Sequence, residues 1–385
     1  VTDSKAFQWK VALILFGVLF LGVSDTQLIP LLLSSIAGEF HTTPGHTGII
    51  VASYSLAAAA FALFAGPLSD RIGRKSVLLG GLVLFTASSF STYHVSSLNA
   101  LVIVRMLTGF AAGTLSTCAL SFAGDHYAYI HRGRAMGVIS MAYFLAFVIA
   151  VGPGSIAVKF WGWRSVFLAF AAVSVAILAI VVKSLPIDGR RTSSRFLVAS
   201  LTSHFGKPER LAGMAAAFLT SGGLVGFLTY FAAWLQIGKG IGIEKIGLLI
   251  MVSGIAAAVA SPLSGWLSDH AGKTKVIIGA NLILAAVFFG VARLDWSWPL
   301  WIAMAVLSIC ASARQAPLHA ISTEIVGPEI RGEYTAVRNA SSQLGIALAA
   351  TVSAYTFDAY GFSGVSNLAA GMTLLIPLCF FWLRE

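Results

Sequence analysis

The chain is predicted to be an all-α membrane protein, with twelve transmembrane helices in two pseudo-symmetric six-helix bundles. Three observations carry this reading. Hydrophobic residues make up 57% of the 385 positions and charged residues only 10%. A water-soluble domain carries about 25% charged residues, so too little polar surface exists here to cover a soluble globule. The apolar residues come in runs of about 20 without strict alternation, the length a helix needs to cross a hydrocarbon core and not the pattern of a barrel strand. Finally, the two halves of the sequence repeat one another at a fixed offset.

The first six spans are expected near 11–36, 47–68, 75–95, 98–122, 135–158 and 164–183. The second six are expected near 211–236, 246–268, 275–293, 299–323, 334–357 and 363–383. This gives an N-terminal bundle over 1–184, a basic linker over 185–210 and a C-terminal bundle over 211–385. Within the linker, Phe196, Leu197, Leu201 and Phe205 recur at helical spacing among Arg190, Arg191, Arg195, Lys207 and Arg210. That pattern fits either a short helix lying on the membrane surface or an ordinary loop. The first apolar run is too long for the core of a signal peptide.

The formal charge of +10 could mark a nucleic-acid binder in a soluble protein. Here the charges sit in short loops, and topology explains them better. One side of the membrane receives only Lys159, Arg164, Lys239, Lys245 and Arg293, while Arg105, Arg314 and Arg338 fall inside spans. The rest of the 25 basic residues lie on the side of both termini. That side is expected to be cytoplasmic, at an inner or plasma membrane. Cys118, Cys310 and Cys379 lie in apolar runs, so neither a disulfide framework nor a metal site is expected. No cofactor is expected either.

The repeat is clearest at Gly66-Pro-Leu-Ser-Asp70-Arg71-Ile-Gly73-Arg74-Lys75 and Gly265-Trp-Leu-Ser-Asp269-His-Ala-Gly272-Lys273-Thr. An offset of 199 relates Gly66, Asp70, Gly73 and Arg74 to Gly265, Asp269, Gly272 and Lys273. The same offset takes Asp125 to Glu324, Arg132 to Arg331 and Gly133 to Gly332. Parallel six-span repeats place a substrate site between the halves near the midplane, with access alternating by rocking.

The pattern Gly66-x-x-x-Asp70-Arg71-x-Gly73-Arg74-Lys75 resembles the loop 2–3 motif of the major facilitator superfamily. Residues 101–113, with Arg105, Gly109 and Gly113, resemble the fourth-span motif of its twelve-span, proton-coupled drug efflux branch. The resemblance implies the major facilitator fold, no enzymatic activity, and a secondary transporter working by rocker-switch alternating access. It implies proton-coupled export of small amphipathic molecules, most simply by a monomer, with the bilayer as solvent. Residues 152–156 lack the paired glycines of that branch's fifth-span motif. An organic-anion or lipid-like metabolite carrier, including one for uptake, therefore stands as the alternative. The resemblance also implies that Asp70 faces the start of span eleven and Asp269 the start of span five, latching one state. Gly73 and Gly272 then supply tight turns. Arg338 is expected to reinforce the latch by pairing with Asp70, with binding of an anionic substrate or snorkelling to the interface as the alternatives.

An ionisable residue inside a span is costly and is by default a functional hypothesis. Asp25 sits mid-span before Gln27 and Pro30, and a carboxylate removed from water holds a proton more tightly than an exposed one. Arg105 stays charged and needs a partner, for which Asp25 is the candidate. These two are the expected proton-coupling residues. Arg314, beside Gln315 and near His319, is expected to face a cavity. Tyr54, Tyr143, Tyr230, Trp234, Asn281, Asn339 and Gln343 are further cavity candidates.

Overall fold

The computed structural model describes residues 8–186, 206–326 and 331–380. Most of the basic linker, including Arg190 to Phe205, lies outside the described residues. The first half consists of α1 (Trp9–Glu39), α2 (Ile49–Ile72), α3 (Arg74–His94), α4 (Leu98–His126), α5 (Tyr129–Ser140 continuing in pieces to Trp161) and α6 (Trp163–Ser184). The second half has α7 (Pro208–Ala233, extended by a π-turn Trp234–Gly238), α8 (Ile243–Ala271), α9 (Lys273–Val291) and α10 (Trp298–Glu324). The last stretch, Arg331–Cys379, contains α11 (331–360) and α12 (362–379), which meet at Gly361. There φ is 65° and ψ is −164°, a left-handed conformation that glycine tolerates and that breaks the helix. Among the described residues eleven helical stretches are long and apolar enough to cross a membrane. The bend at Gly361 divides the longest of them into two passes, so the chain crosses twelve times.

Helix α5 is the least regular. A π-turn, Ala146–Val151, precedes Pro153. Proline cannot donate to the helical ladder and its ring crowds the carbonyl four residues earlier, so a local widening is the physical response.

Lipid tails are as apolar as leucine, so helices in a bilayer associate through close packing and polar contacts. Small residues provide the close approach here. A Cβ on Gly109 would lie 2.2 Å from the Tyr54 carbonyl oxygen, and one on Gly113 2.7 Å from that of Ala58. Backbone thus meets backbone where α4 crosses α2. In the other half a Cβ on Gly345 of α11 would lie 2.3 Å from the Phe218 carbonyl oxygen of α7. The helices of each half pack mainly among themselves, and the halves meet where α1 lies on α7, α2 on α11, and α5 on α8.

The repeat is visible in the backbone. Gly73, between α2 and α3, has φ 96° and ψ 138°, and Gly272, between α8 and α9, has φ 94° and ψ 136°. Only glycine enters that region without strain. Gly66 plays no comparable role, since a Cβ there would meet nothing within 4 Å.

Candidate functional site: a buried ion pair and a cationic pocket

Asp25 of α1 and Arg105 of α4 face each other in the first bundle. Arg105 donates from Nη1 to Asp25 Oδ1 at 2.8 Å and from Nη2 to Oδ2 at 2.7 Å. The two side chains are 0% and 1% exposed, so this is a dry, bidentate pair. The planar fork of a guanidinium suits two-point contact with a carboxylate. The guanidinium carbon also stands 4.6 Å from the centre of the Tyr54 ring, which stabilises a desolvated cation. Thr26 donates to the Tyr54 hydroxyl at 2.9 Å and so fixes that ring from the helix that carries Asp25. The Gly109 contact holds the Tyr54 backbone against α4, one helical turn from Arg105. Tyr143 of α5 is 46% exposed and close enough to Tyr54 to interact electrostatically. Gln27 is half-buried beside this group.

The loop residues form a second cluster, on the face that carries the α2–α3 and α8–α9 turns, here called the basic face. Arg74 Nη2 lies 3.1 Å from Asp70 Oδ1 and 2.6 Å from Asp125 Oδ2. In the second half Lys273 Nζ lies 2.5 Å from Glu324 Oε1. The Arg74–Asp125 and Lys273–Glu324 pairs are related by the sequence offset of 199, so the repeat reproduces an interaction as well as a motif. Lys75 donates to the carbonyls of Val182 and Leu185, at 3.0 and 2.6 Å, and caps the end of α6. Arg71 lies in the last turn of α2 and is exposed.

One latch expectation needs correction, and two reach residues outside the described ones. Asp70 accepts from Arg74 at 3.1 Å, and residues 327–330 with the side chain of Arg331, at the start of α11, lie outside the described residues. Arg338 donates to His319 Nδ1 at 2.8 Å rather than to Asp70. The reason is geometric: position 338 lies on the face of α11 turned toward α10, while Arg74 occupies Asp70. The side chain of Asp269 lies outside the described residues.

On the opposite face the halves are joined by several polar contacts. Lys159 of α5 lies 2.8 Å from Glu244 of α8. Gln236 donates to the Leu31 carbonyl at 3.1 Å, and Thr43 to Asp358 at 3.2 Å. Tyr230 donates toward the carbonyls of Gly45 and Ala350, at 3.4 and 3.1 Å. Tyr230 is fully buried and belongs to this closure, not to a cavity. Trp234 stacks on Phe362 at 4.6 Å and is a packing residue. The structure therefore describes a state closed on the opposite face.

A small polar pocket of ≈ 30 Å³ lies within the second bundle. It brings together Gln315 and His319 of α10 with Arg338, Asn339 and Ser342 of α11, and with Thr220 and Ser221 of α7. Ser221 and Ser342 bridge its wall, their hydroxyls 2.5 Å apart. Arg314 is 1% exposed beside it, donating to Asn281 Oδ1 at 2.6 Å and to the Thr220 carbonyl at 3.3 Å. Among the described residues neither Arg314 nor Arg338 has a carboxylate partner. Sequence reasoning found the arginines, Gln315, His319 and Asn339, but not Thr220, Ser221 and Ser342. Serine and threonine are common in packed membrane helices, so their types carry no signal. No group of histidine, cysteine and acidic residues among the described residues is arranged to hold a metal.

The Major Facilitator Superfamily family model matches residues 14–257 and 240–385. The chain is 24% identical over 367 residues to the uncharacterized MFS-type transporter YceJ of Bacillus subtilis, covering 94% of this chain and 93% of that one. It is 27% identical over 350 residues to the purine ribonucleoside efflux pump NepI of Salmonella paratyphi C, covering 90% and 87%. It is 26% identical over 329 residues to the 4-hydroxybenzoate transporter PcaK of Pseudomonas putida, covering 73% and 70%. Among solved structures, a point mutant of the nucleoside transporter NupG superposes with a TM-score of 0.82 at 15% identity, covering 97% of this chain and 100% of that chain. A bacterial homolog of the human lysosomal transporter Spinster, inward-facing and unoccupied, gives 0.80 at 16%, covering 99% and 97%. With a family match across nearly the whole length, twelve passes and the same fold, the chain belongs to the Major Facilitator Superfamily and is one of its membrane transporters.

Proposed function

We propose that this transporter is a proton-coupled exporter of small amphipathic organic molecules, working by rocker-switch alternating access. The observation that carries the reading is the dry, bidentate Asp25–Arg105 pair. A proton arriving at Asp25 converts the carboxylate to a neutral acid, removes the charge–charge attraction of the pair and frees Arg105 to turn toward another acceptor. Departure of the proton re-forms the pair. The protonation state of one carboxylate thereby selects between two arrangements of α1 against α4 within the first bundle, and α1 also packs on α7 of the second. Arg105 keeps its proton throughout. The direction is supported by the relative named as an efflux pump, and the substrate scale by relatives named for purine ribonucleosides and 4-hydroxybenzoate. Both termini face the cytoplasm in this reading, because the Lys/Arg excess marks that side. The two six-helix bundles, joined by the basic linker, suffice as a monomer.

The test is proton movement in liposomes holding the purified protein. Compounds that the wild type moves should drive proton flux, and Asp25→Asn should abolish that flux while leaving uncoupled exchange of substrate measurable. Substrate-driven proton flux of wild-type size in Asp25→Asn refutes the reading.

A further inference from the structure

We propose that the pocket between α7, α10 and α11 binds an anionic group of the transported molecule, a carboxylate or a phosphate, with Arg338 as its charge partner. The proposal rests on reading the chain as a carrier of small organic molecules, and it supplies the charge of the cargo.

The two bundles treat their buried arginines differently. Arg105 is neutralised by Asp25. Among the described residues Arg314 and Arg338, 1% and 4% exposed, are held by neutral acceptors, namely Asn281 Oδ1, the Thr220 carbonyl and His319 Nδ1. A desolvated cation without a counter-charge is expensive inside a membrane protein. Among the described residues Arg314 Nε, Arg338 Nε and Thr220 Oγ1 are buried without a hydrogen-bond partner; Arg105 Nε is too, so the difference between the bundles lies in the missing counter-charge and not in the Nε atoms. Buried polar atoms are ordinarily satisfied, and exceptions call for a missing partner. A guanidinium has donors only, so His319 Nδ1 accepts from Arg338 as a neutral ring.

The pocket thus offers donors and the positive charge of Arg338, with no acid among its described lining residues. An anion there would supply a counter-charge to Arg338 and accept from the donors that line the pocket. The pocket is small and partly open, so a charged head group fits in it while the rest of the molecule extends outward. Arg314, behind the Thr220 carbonyl, raises the local potential without needing to touch the ligand.

The experiment uses the purified full chain in detergent, with benzoate, phenyl phosphate, benzamide and benzylamine as probes of matched ring and different charge. Saturable binding is expected for at least one of the two anions, and not for the amide or the amine. The preferred anion identifies the head group as carboxylate or phosphate. Arg338→Gln should weaken that binding by about tenfold to a hundredfold, the loss expected for one charge-assisted hydrogen bond. Arg338→Lys should recover part of it. Ser342→Phe, which fills the pocket and leaves every charge in place, should remove it. Unliganded unfolding curves show whether each variant is folded. Binding of neither anion, or equal affinity in wild type and a folded Arg338→Gln, overturns the proposal. Asp25→Asn separates the two readings, because it should keep anion affinity while losing proton coupling. Lost coupling in Asp25→Asn with unchanged affinity in Arg338→Gln sinks the anion site alone, and the reverse result sinks the coupling alone.

Discussion

Removing one member of the Asp25–Arg105 pair should cost far more than removing both. In Asp25→Asn the guanidinium keeps its charge at 1% exposure and loses both of its bonds to carboxylate oxygens, made at 2.8 and 2.7 Å. Breaking a buried pair in this way costs about 3–5 kcal/mol, because an uncompensated charge remains. The Tyr54 face, 4.6 Å from the guanidinium carbon, is already engaged in the wild type and so does not offset that loss. Replacing both groups by apolar side chains of similar size, Asp25→Leu with Arg105→Met, removes the charge and is expected to be close to neutral, as such replacements often are. The coupling energy of a full cycle over these variants is therefore expected to be at least about 2 kcal/mol. Equilibrium unfolding in mixed micelles, with helicity as the probe, measures it. A single Asp25→Asn or Arg105→Met variant within about 0.5 kcal/mol of wild type, the range of an inconsequential surface change, would show that the pair is wet or broken in the membrane. The argument for a dry switch would then collapse. The double variant should also be stable and yet fail to move protons, which distinguishes a coupling role from a merely structural one.

Other expectations follow from the same geometry. Gly109→Val should destabilise by about 1–3 kcal/mol through overpacking against the Tyr54 backbone, whereas Gly66→Ala, with nothing within 4 Å of its Cβ, should be neutral or slightly stabilising in the same unfolding assay. Arg74→Ala breaks a half-buried bridge to two carboxylates and should lower stability more than Lys273→Ala, whose partner Glu324 is 60% exposed; equal effects in unfolding curves would argue against the difference in burial. A disulfide between Lys159→Cys and Glu244→Cys should lock the opposite face shut and stop transport in liposomes until a reductant is added, since those positions join α5 to α8 in the closed state. Transport that continues at full rate in the oxidised form contradicts that assignment.

Much of this architecture was legible because membrane helices write long, loud signals. The spans are set by runs of apolar residues, and the repeat by a few loop residues whose roles are dictated by backbone geometry. Gly73 and Gly272 are examples: a φ near 95° restricts the residue type, so the pair survives where most side chains have diverged. Asp25 and Arg105 were legible for the opposite reason, since a charge in lipid is too costly to be incidental. The details of partnership were not legible. Whether Arg338 meets Asp70 or His319 depends on the rotation of α11 by a fraction of a turn, and no local pattern encodes that angle. The bend at Gly361 and the π-turn near Gly238 likewise have no pattern that announces them, and each shifts the facing of the residues beyond it; the π-turn near Val151 does have a local cause, in Pro153.

The repeat also shows where the two halves have been put to different uses. At the basic face the offset of 199 maps glycine to glycine and ion pair to ion pair, so both halves keep the parts that set helix ends and turns. Within the spans the correspondence ends. The positions matching Asp25 and Arg105 are Leu224 and Met304, and those matching Arg314 and Arg338 are Leu115 and Ile139. Each buried charge therefore exists in one half only, and each half could have folded without it, as the other half demonstrates with leucine, methionine or isoleucine at the equivalent place. A charge that the fold does not need, kept at a desolvation cost of several kcal/mol, needs another explanation. The first half resolves its charges internally, as an acid–base pair that a proton can open. The second half leaves its charges unresolved, as donors awaiting an acceptor. A molecule between the halves would thus meet a proton-sensitive wall on one side and a cation-lined pocket on the other, and the rocking of one half against the other would couple the two.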